Sequence, residues 1–570
     1  MANTDSNLVS IKVGALPNSV NLVFVAEGYQ ASERSKFLAD AAAITNYFFS
    51  KEKSLLNDPF STYQSFFQVD ALFAASNQSG LDQPNKNIYV DTYFNASQHG
   101  ADGRLAYGDG SKVLNYVSQY VPSAKSEMVV VLVNSSLYGG AGGNPPWTTA
   151  GNSNSYEIAL HEIGHSYAKL QDEYADPALV ASFPLSGLQG VNVTSSLSNI
   201  PWKTWIGYQD SLGVVGTFEG GYYRSTEIWR ATNNSKMLSL GTPFNAPQKE
   251  AFALNFYKDI GDYLSVGTDI PGIYYASARA PNALSYSWTS SNSQYTNASV
   301  LDTYKSKIGA GVSINLSTVD NTGLIRNNLA STKQTENFVT SAYVTKNIVN
   351  QSYILAENST LLKFSDVDNK IYSSPSSSYS NYIDAGGGLD TFVVSGASSS
   401  SYQIEGSNST WLLGTSNKPL YALSNVERVQ FTDATIALDT GKDQTAGSGY
   451  MLYKAAFNRT PDASGLGFWI NKMDGGMSYN VVAQSFINSA EFKAAYYSSN
   501  PSVHTLILNM YLNVLNRLPD DDGLTFWQEK RTTGGWSTAD VLGYFATSAE
   551  NVTNVTPLIA NGIQYQQFVG

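Results

Sequence analysis

The first 264 residues alternate between apolar runs and segments with helical spacing. The segments NLVFVAEGY (Asn21–Tyr29) and MVVVLVN (Met128–Asn134) are short, almost continuously apolar and β-branched, as strands buried on both faces are. Between them, SERSKFLADAAAITNYFF places apolar residues at the spacing of a helix. This pattern predicts a mixed α/β domain over residues 1–264.

A different pattern begins at about residue 265. Segments rich in Ser, Thr, Asn and Tyr alternate with glycine turns up to about residue 440, which is typical of β structure. We predict a β-rich accessory domain over residues 265–370 and a second β region over residues 371–445.

An internal repeat lies within residues 446–570. YKAAFNRTPDASGLGFW (Tyr453–Trp469) returns as YLNVLNRLPDDDGLTFW (Tyr511–Trp527), 58 residues later. Aromatic and aliphatic residues at helical spacing in both copies predict helical hairpins with aromatic cores. The predicted fold is therefore multidomain, with an α/β domain, a central β-rich region and a C-terminal all-α repeat domain.

Composition and charge exclude several classes of function. The chain has 570 residues, a formal net charge of −12 and no cysteine. The acidic balance argues against nucleic acid as a partner, and the lack of cysteine excludes disulfides and thiolate chemistry. No apolar run approaches the roughly 20 residues of a transmembrane segment. The N-terminus, MANTDSNLVSIKVG, also lacks the basic and apolar regions of a secretory signal, so export would need another route.

Two of the chain's four histidines lie in the motif HEIGH, His161–His165. A chain of this composition would contain such an HExxH pattern by chance roughly 0.002 times. The surrounding SYEIALHEIGHSYAKL is helical in pattern, so the two imidazoles would share one helix face, about 6 Å apart. That arrangement predicts a Zn²⁺ site, with Glu162 beside it to take a proton from water on the metal. The alternative is a solvated helix with two chance histidines.

A catalytic zinc needs a third protein ligand. No third histidine follows nearby, and the next acids are Asp172 and Glu173. In an unbroken helix Asp172 would lie about 10.5 Å further along the axis than His165. The helix must therefore end or turn sharply after about Lys169 if Asp172 is to reach the metal. We predict Asp172 as the third ligand. The alternatives are Glu173, Glu219 and Glu227.

The stretch HEIGHSYAKLQDEY resembles the zinc-binding segment of the IgA-peptidase-type metallopeptidases, family sixty-four of the metallopeptidases. Further blocks agree in order: VFVAEGYQASERSKFLAD, SNQSGLDQP, DTYF and VLVNSSLYGGAGG before the motif, and PWKTWIG, FEGGYYRSTEIWR and SKML after it. The resemblance spans about residues 20–260. It implies a zincin-like α/β metallopeptidase domain that hydrolyses peptide bonds.

The same resemblance suggests roles for residues around the motif. Family members often carry glycine where this chain has Lys169, which would ease the turn towards Asp172. Met237 would form a hydrophobic floor under the zinc, or else be an ordinary core methionine. Tyr222 or Tyr223 would donate to the developing oxyanion, and we predict Tyr223 as the catalytic tyrosine. The glycine run Gly139–Gly143 would edge the substrate cleft.

Two C-terminal resemblances concern export. SNYIDAGGGLDTFVVSG (Ser380–Gly396) resembles the calcium-binding repeat region of RTX proteins, which type I systems secrete. Asp384 and Asp390 would be Ca²⁺ ligands there, and a plain β-turn is the alternative. The 58-residue repeat resembles the two-repeat domain of unknown function 4214, which commonly ends such exported proteins. Together they imply a bacterial protein that is secreted or held at the cell surface, with the type I secretion machinery as a partner.

The resulting hypothesis is a secreted zinc-dependent endopeptidase that acts on protein or peptide substrates through Glu162-assisted attack of zinc-bound water. The alternative from another class is a non-catalytic bacterial surface or adhesion protein with a vestigial peptidase domain. A third interpretation is self-processing as the main activity.

Overall fold

The structure is a computed structural model that describes residues 7–14, 18–100, 103–121, 128–188, 190–277, 283–291, 293–356, 358, 360–374, 380–407, 410–415, 418–496, 502–515 and 517–568. The chain divides into two units. The first comprises residues 1–266, 276–299 and 314–338, and the second comprises residues 267–275, 300–313 and 339–570.

A mixed eight-stranded sheet is the centre of the first unit. Its strands are β1 (Leu8–Lys12), β2 (Val20–Glu27), β3 (Phe67–Leu72), β4 (Ser97–His99), β5 (Leu105–Tyr107), β6 (Met128–Val133), β7 (Gly140–Ala141) and β8 (Trp147–Thr149). They lie in the order β1-β3-β2-β6-β8-β7-β5-β4. Strand β2 runs parallel to β3 and β6, with Leu22 opposite both Val69 and Met128. The two strands predicted from their apolar runs are confirmed as these adjacent central strands, β2 and β6.

Five helices accompany this sheet in the described part of the first unit. They are α1 (Arg34–Phe49), α2 (Ser54–Asn57), α3 (Gly110–Tyr120), α4 (Ser155–Ser166) and α5 (Ala246–Ile260). The predicted helix between β2 and β6 is confirmed as α1, which buries Phe37, Ala41, Ile44 and Phe48 at the three- and four-residue spacing of one helix face. Helix α4 follows β8 and carries the HEIGH motif.

The strands between residues 193 and 339 belong partly to the first unit and partly to the second. They are β9 (Val193–Thr194), β10 (Gln209–Asp210), β11 (Gly213–Val214), β12 (Phe218–Gly221), β13 (Arg224–Arg230), β14 (Val266–Gly267), β15 (Ile273–Ala276), β16 (Leu284–Ser290), β17 (Ser293–Thr296), β18 (Val300–Asp302), β19 (Ser313–Asp320) and β20 (Gln334–Val339). The sheet β12-β13-β9 lies beyond α4 in sequence, and β17-β16-β19-β20 form a four-stranded sheet.

A buried carboxylate ties this four-stranded sheet to the rest of the first unit. Asp320, at the end of β19, is 6% exposed and accepts hydrogen bonds from the hydroxyls of Tyr63 (2.7 Å) and Tyr257 (2.9 Å). Both phenols are buried, and Tyr257 belongs to α5. Asp320 therefore satisfies the hydroxyl of Tyr257, and it shares the hydroxyl of Tyr63 with Oγ1 of Thr322, 2.8 Å away.

The second unit contains two six-stranded sheets, in which a coil of parallel strands is extended by antiparallel strands at one end of each sheet. The strands are β21 (Val344–Asn347), β22 (Ser352–Ile354), β23 (Thr360–Lys363), β24 (Lys370–Tyr372), β25 (Asn381–Asp384), β26 (Thr391–Val393), β27 (Gln403–Ser407), β28 (Thr410–Thr415), β29 (Lys418–Ser424), β30 (Arg428–Gln430), β31 (Thr435–Ala437) and β32 (Ile563–Tyr565). Successive strands from β21 to β26 alternate between two sheets, β21-β23-β25-β29-β28-β27 and β22-β24-β26-β30-β31-β32. Apolar side chains such as Leu362, Ile371 and Phe392 are fully buried in the core of this coil.

The C-terminal repeat is confirmed as a repeat of helices. The first copy comprises α6 (Thr445–Phe457), α7 (Ala463–Asp474), α8 (Tyr479–Asn488) and α9 (Ala490–Tyr496), and the second α10 (Val503–Leu515), α11 (Asp521–Thr532), α12 (Thr538–Ala546) and α13 (Ala549–Val555). Equivalent ion pairs recur in the copies, Arg459 with Glu491 and Arg517 with Glu550, each with a shortest N–O distance of 2.8 Å. The repeated sequence therefore encodes a repeated set of contacts.

The coarse prediction is thus confirmed: an α/β part is followed by a β-rich middle and a C-terminal helical region. The predicted boundaries at residues 264, 370 and 445 stay predictions. None of the helices that the structure describes has the length and hydropathy that crossing a membrane requires.

We expect Asp320→Ala to lower the free energy of unfolding of the first unit by roughly 2–4 kcal/mol, because it leaves the buried phenol of Tyr257 without its acceptor and removes one of two partners of Tyr63. Chemical denaturation followed by tryptophan fluorescence would measure the change. The matched control is Asp262→Ala, which removes an exposed carboxylate. Equal stability of the two variants would contradict the role given to Asp320.

Candidate metal centre

Helix α4 presents the motif histidines to one point. His161 and His165 are one helical turn apart, their ring centroids are 4.8 Å apart, and their Nε2 atoms are 3.1 Å apart. Both side chains are partly buried, with 15% and 21% of their surface exposed. The helical pattern predicted for this stretch is confirmed, and it places the two imidazoles edge to face.

The chain then reverses towards the histidines. Helix α4 ends at Ser166, and Lys169 adopts a left-handed backbone conformation with φ +58°. The N–H of Leu170 donates to the carbonyl of Gly164 at 3.0 Å and closes the turn. Left-handed backbone is the conformation in which glycine is favoured, which explains why glycine would suit position 169. The turn predicted between His165 and Asp172 is therefore present, and Lys169 is its left-handed residue.

This turn brings a carboxylate oxygen to both imidazoles. Oδ1 of Asp172 lies 3.2 Å from Nε2 of His161 and 3.3 Å from Nε2 of His165. It is buried and has no hydrogen-bond partner. Three ligand atoms held at 2.0–2.1 Å from a tetrahedral ion are about 3.3 Å apart, so this triangle has the dimensions of a zinc site. Within the described part of the chain, it is the one His/Asp/Glu cluster suited to a metal ion.

Two backbone carbonyls orient the imidazoles. Nδ1 of His161 lies 3.0 Å from the carbonyl oxygen of Lys236, and Nδ1 of His165 lies 2.8 Å from that of Leu170. A carbonyl oxygen only accepts, so each Nδ1 carries the hydrogen and each Nε2 is left to bind a cation. Burial alone lowers the pKa of His165, but Asp172 and more weakly Glu162 raise it to about 9. The site thus attracts positive charge.

Tyr223 holds the other oxygen of Asp172. Its hydroxyl donates to Oδ2 at 2.5 Å, and burial together with the Asp172 carboxylate raises the pKa of Tyr223 above its ordinary value. The backbone N–H groups of Tyr222 and Tyr223 donate to the carbonyls of Asp172 and Tyr174. Both Tyr222 and Tyr223 have positive φ angles, +48° and +65°, a strained conformation for bulky residues. Tyr223 is therefore placed to orient Asp172; its predicted role as an oxyanion donor stays a prediction.

Met237 and Glu173 lie behind the cluster. A methyl group added at Gly164 would be 2.9 Å from Sδ of Met237, so the glycine of HEIGH lets this fully buried methionine pack against the helix. The N–H of Glu173 donates to the carbonyl of Met237 at 2.8 Å. The carboxylate of Glu173 points away from the histidines and accepts hydrogen bonds from Asn192, Ser235 and Gln248.

An open cleft of about 370 Å³ adjoins the motif. It is lined by Arg104, Leu105, Tyr138, Gly140, Ile158, His161, Glu162, Tyr174, Lys236, Leu238, Ser239 and Leu240. A methyl group at Gly140 would be 2.4 Å from Cγ2 of Ile158 and 3.3 Å from Oε1 of Glu162, so glycine allows the wall to approach the carboxylate. Burial raises the pKa of Glu162, although the two imidazoles oppose the shift.

The predicted site residues are thus brought together in part. His161, His165, Asp172 and Tyr223 form one cluster, and Glu162 faces the adjacent cleft. Of the alternative ligands, Glu173 faces away, while Glu219 lies on β12 and accepts from the N–H of Glu227.

Asp384 and Asp390, the predicted calcium ligands, have different partners, since Asn425 donates to Asp384 and Asn369 to Asp390. Calcium binding there stays a prediction.

Sequence reasoning missed the residues that support the histidines. Lys236 contributes its backbone carbonyl, and its buried ammonium pairs with Glu157 at 2.5 Å. Glu157 lies one turn before His161 on α4 and also accepts from the N–H of Gly241. The only sequence signal was the four-residue spacing of Glu157 and His161, which places them on one helix face.

Comparison with known proteins agrees with this geometry. Residues 10–214 match the family model described as IgA Peptidase M64. Residues 449–495 and 483–555 match the family model described as a domain of unknown function, DUF4214. No curated protein is similar enough to this chain to count as a match.

The first match indicates the class of the N-terminal part of the chain. The chain is multidomain, with an N-terminal peptidase domain, a β-rich middle and a C-terminal helical region, and the match indicates a metallopeptidase. The matched residues include the motif and Asp172, whereas Tyr223 and Met237 lie beyond residue 214.

Glu173 generates a pH-dependent prediction. Burial raises its pKa to about 7, although Ser235, Asn192 and Gln248 donate to the carboxylate. The folded state therefore holds this proton more tightly than the unfolded state, and Glu173 destabilises the fold progressively as pH rises from about 4.5 to 7. Relative to the wild type, we expect Glu173→Gln to gain stability over that interval, by about 3 kcal/mol at most.

Thermal unfolding in a chelator at several pH values between 5 and 8 would measure this difference. The control is Glu52→Gln, at an exposed carboxylate. A difference between Glu173→Gln and the wild type that does not change with pH would contradict the prediction.

Proposed function

We propose that this protein is a zinc-dependent endopeptidase. One observation carries the proposal: a buried carboxylate oxygen of Asp172 has no hydrogen-bond partner and faces two imidazole Nε2 atoms at 3.2 and 3.3 Å. Two nitrogens and one oxygen are a donor set that suits Zn²⁺. His161, His165 and Asp172 would hold the ion, and the cleft beside them would admit a peptide. The α/β part would then be a zincin-like domain.

The bound zinc would acidify a water molecule and polarise the substrate carbonyl. Glu162, in the same cleft, accepts a proton from the attacking water on its carboxylate. It then returns the proton to the nitrogen of the departing amine. The raised pKa of Glu162 suits this exchange, because a carboxyl group with a pKa nearer neutrality both takes and releases a proton readily.

The surrounding residues position these groups. The carbonyls of Lys236 and Leu170 fix the tautomer of both histidines. Tyr223 orients Asp172 through its hydroxyl; to donate to the oxyanion during the reaction, the same hydrogen would leave Oδ2 of Asp172 and turn towards the substrate. Gly140 keeps the cleft wall close to Glu162.

We also propose that the protein acts outside the cell. The support is a cysteine-free acidic composition and the sequence resemblance of residues 371–445 to RTX regions. Under this proposal the type I secretion machinery is the export partner, and Asp384 and Asp390 bind Ca²⁺ in the RTX-like region. The substrate is a protein or peptide.

The competing function is that of a non-catalytic surface protein. It predicts neither bound zinc nor hydrolysis, so two measurements separate the alternatives. The unpartnered Oδ1 of Asp172 favours the enzyme, because a vestigial site has no reason to keep a buried acceptor unsatisfied.

We expect Glu162→Gln to retain about one zinc per chain, since Glu162 is not a ligand, while casein hydrolysis falls roughly 10²- to 10⁴-fold with loss of the general base. His161→Ala should lose both zinc and activity. Elemental analysis and a casein cleavage assay would measure the two properties. The matched control is His504→Ala, which removes a histidine on α10. Absence of zinc from the wild type, or full activity of Glu162→Gln, would refute the proposal.

Tyr223→Phe should weaken zinc binding roughly 10-fold or more, because Asp172 loses the donor that orients it. Competition with a chromogenic chelator would report the affinity. Hydrolysis should then be measured at saturating zinc. Recovery of kcat would assign Tyr223 to positioning Asp172, and a persistent fall in kcat would support the oxyanion role. Unchanged zinc affinity would contradict the positioning role.

A further inference from the structure

The cleft beside Glu162 is lined by both a buried and an exposed basic side chain. Two cationic side chains line it, Arg104 and Lys236. Lys236 is fully buried, and its ammonium is paired with Glu157 at 2.5 Å. Lys236 is therefore out of reach of a substrate, whereas the side chain of Arg104 is 47% exposed and accessible from the cleft.

Arg104 lies at the start of β5, and its carbonyl accepts from the N–H of Gly140 on the glycine wall. Its side chain is 47% exposed, and Nη2 is 3.9 Å from Oδ2 of Asp176. Because this exposed side chain lines the cleft, a substrate carboxylate can reach the guanidinium and exchange with its present partners.

Two tyrosines connect Arg104 with the reacting groups. Tyr138 is 46% exposed in the cleft, and its pKa is raised by burial and by Glu162 but lowered by Arg104. The hydroxyl of Tyr138 is thus near both the general base and the guanidinium. Tyr174 lines the same cleft and lies two residues beyond Asp172. A group bound by Arg104 would have phenol hydroxyls beside it as further donors.

We propose that Arg104 is a specificity-determining residue that selects peptides carrying a carboxylate near the scissile bond. This inference rests on the proposed peptidase function. Guanidinium and carboxylate match in a two-point geometry, while a lysine or arginine side chain at the same place would be repelled. Leu105, Leu238 and Leu240 would contact the apolar part of the substrate residue. The whole chain carries a net charge of −12, so long-range attraction does not supply this preference.

The carboxylate has two possible sources in a peptide, an Asp or Glu side chain and a free C-terminus. Reduced and alkylated serum albumin would serve as the first probe, with cleavage sites mapped by mass spectrometry. Peptides copied from the cleaved sites would then be prepared with Asp, Asn or Lys at the selected position, and with either a free or an amidated C-terminus. Side-chain selection predicts a loss of rate with Asn or Lys, and selection of the C-terminus predicts a loss on amidation.

Arg104→Glu should lower kcat/KM for the carboxylate-bearing peptide roughly 10- to 100-fold and raise it for the lysine peptide. Arg104→Lys should keep part of the preference, and Asp176→Asn should strengthen it by removing the competing carboxylate. Lys53→Glu changes an exposed lysine outside the cleft lining and should leave the ratio of rates unchanged.

An unaltered ratio of rates in Arg104→Glu would overturn the inference, as would cleavage sites without nearby carboxylates in the wild type. Failure of the proposed function looks different, because the wild type would then show no Glu162-dependent cleavage of any probe.

Discussion

The geometry of the His161–His165–Asp172 cluster depends on two hydrogen bonds to backbone carbonyls. The carbonyls of Lys236 and Leu170 hold Nδ1 of His161 and His165, and a carbonyl can only accept a hydrogen. Each imidazole therefore turns its Nε2 lone pair towards the same point, where Oδ1 of Asp172 also lies. If either carbonyl moved, the ring could rotate or change tautomer, and the three donors would no longer converge.

Backbone hydrogen bonds offset the conformational strain near the histidines. Lys169, Tyr222 and Tyr223 all have left-handed φ angles, which cost about 1–2 kcal/mol each in a non-glycine residue. The turn at Lys169 is closed by the hydrogen bond from Leu170 to Gly164, and the strained tyrosines pair through their N–H groups with Asp172 and Tyr174. The strain is thus located where the chain reverses to bring Asp172 to the two histidines.

The sequence predicted those parts of the site that depend on local spacing. His161 and His165 are separated by one helical turn, and the apolar runs that became β2 and β6 are equally local signals. The need for a turn before Asp172 also followed from helix geometry. The supporting residues could not be predicted in this way. The backbone carbonyl of Lys236 reaches a histidine 75 residues away, and a carbonyl has no side-chain identity that a motif could reveal.

The tertiary arrangement limited the prediction of the fold in a similar way. Alternation of apolar residues indicated β structure after residue 265, but it did not indicate that Asp320 would accept from Tyr63, 257 residues earlier. The helical repeat was easier to predict, because each copy is stabilised by its own equivalent contacts, such as the Arg459–Glu491 and Arg517–Glu550 pairs. Repetition in sequence then corresponds directly to repetition in structure.

One segment carries both Asp172, the proposed third ligand, and Asp176, whose carboxylate lies 3.9 Å from the guanidinium of Arg104. Asp172, Tyr174 and Asp176 follow one another at two-residue spacing, and this strand-like segment is bonded to Tyr222 and Tyr223 through the carbonyls of Asp172 and Tyr174 and the N–H of Asp176. These backbone bonds do not depend on the charge of Asp176. A change in the pairing of Arg104 therefore alters the cleft while Asp172 keeps its place. The backbone bonds that hold Asp172 beside the two histidines are thus independent of the charge pairing in the cleft wall.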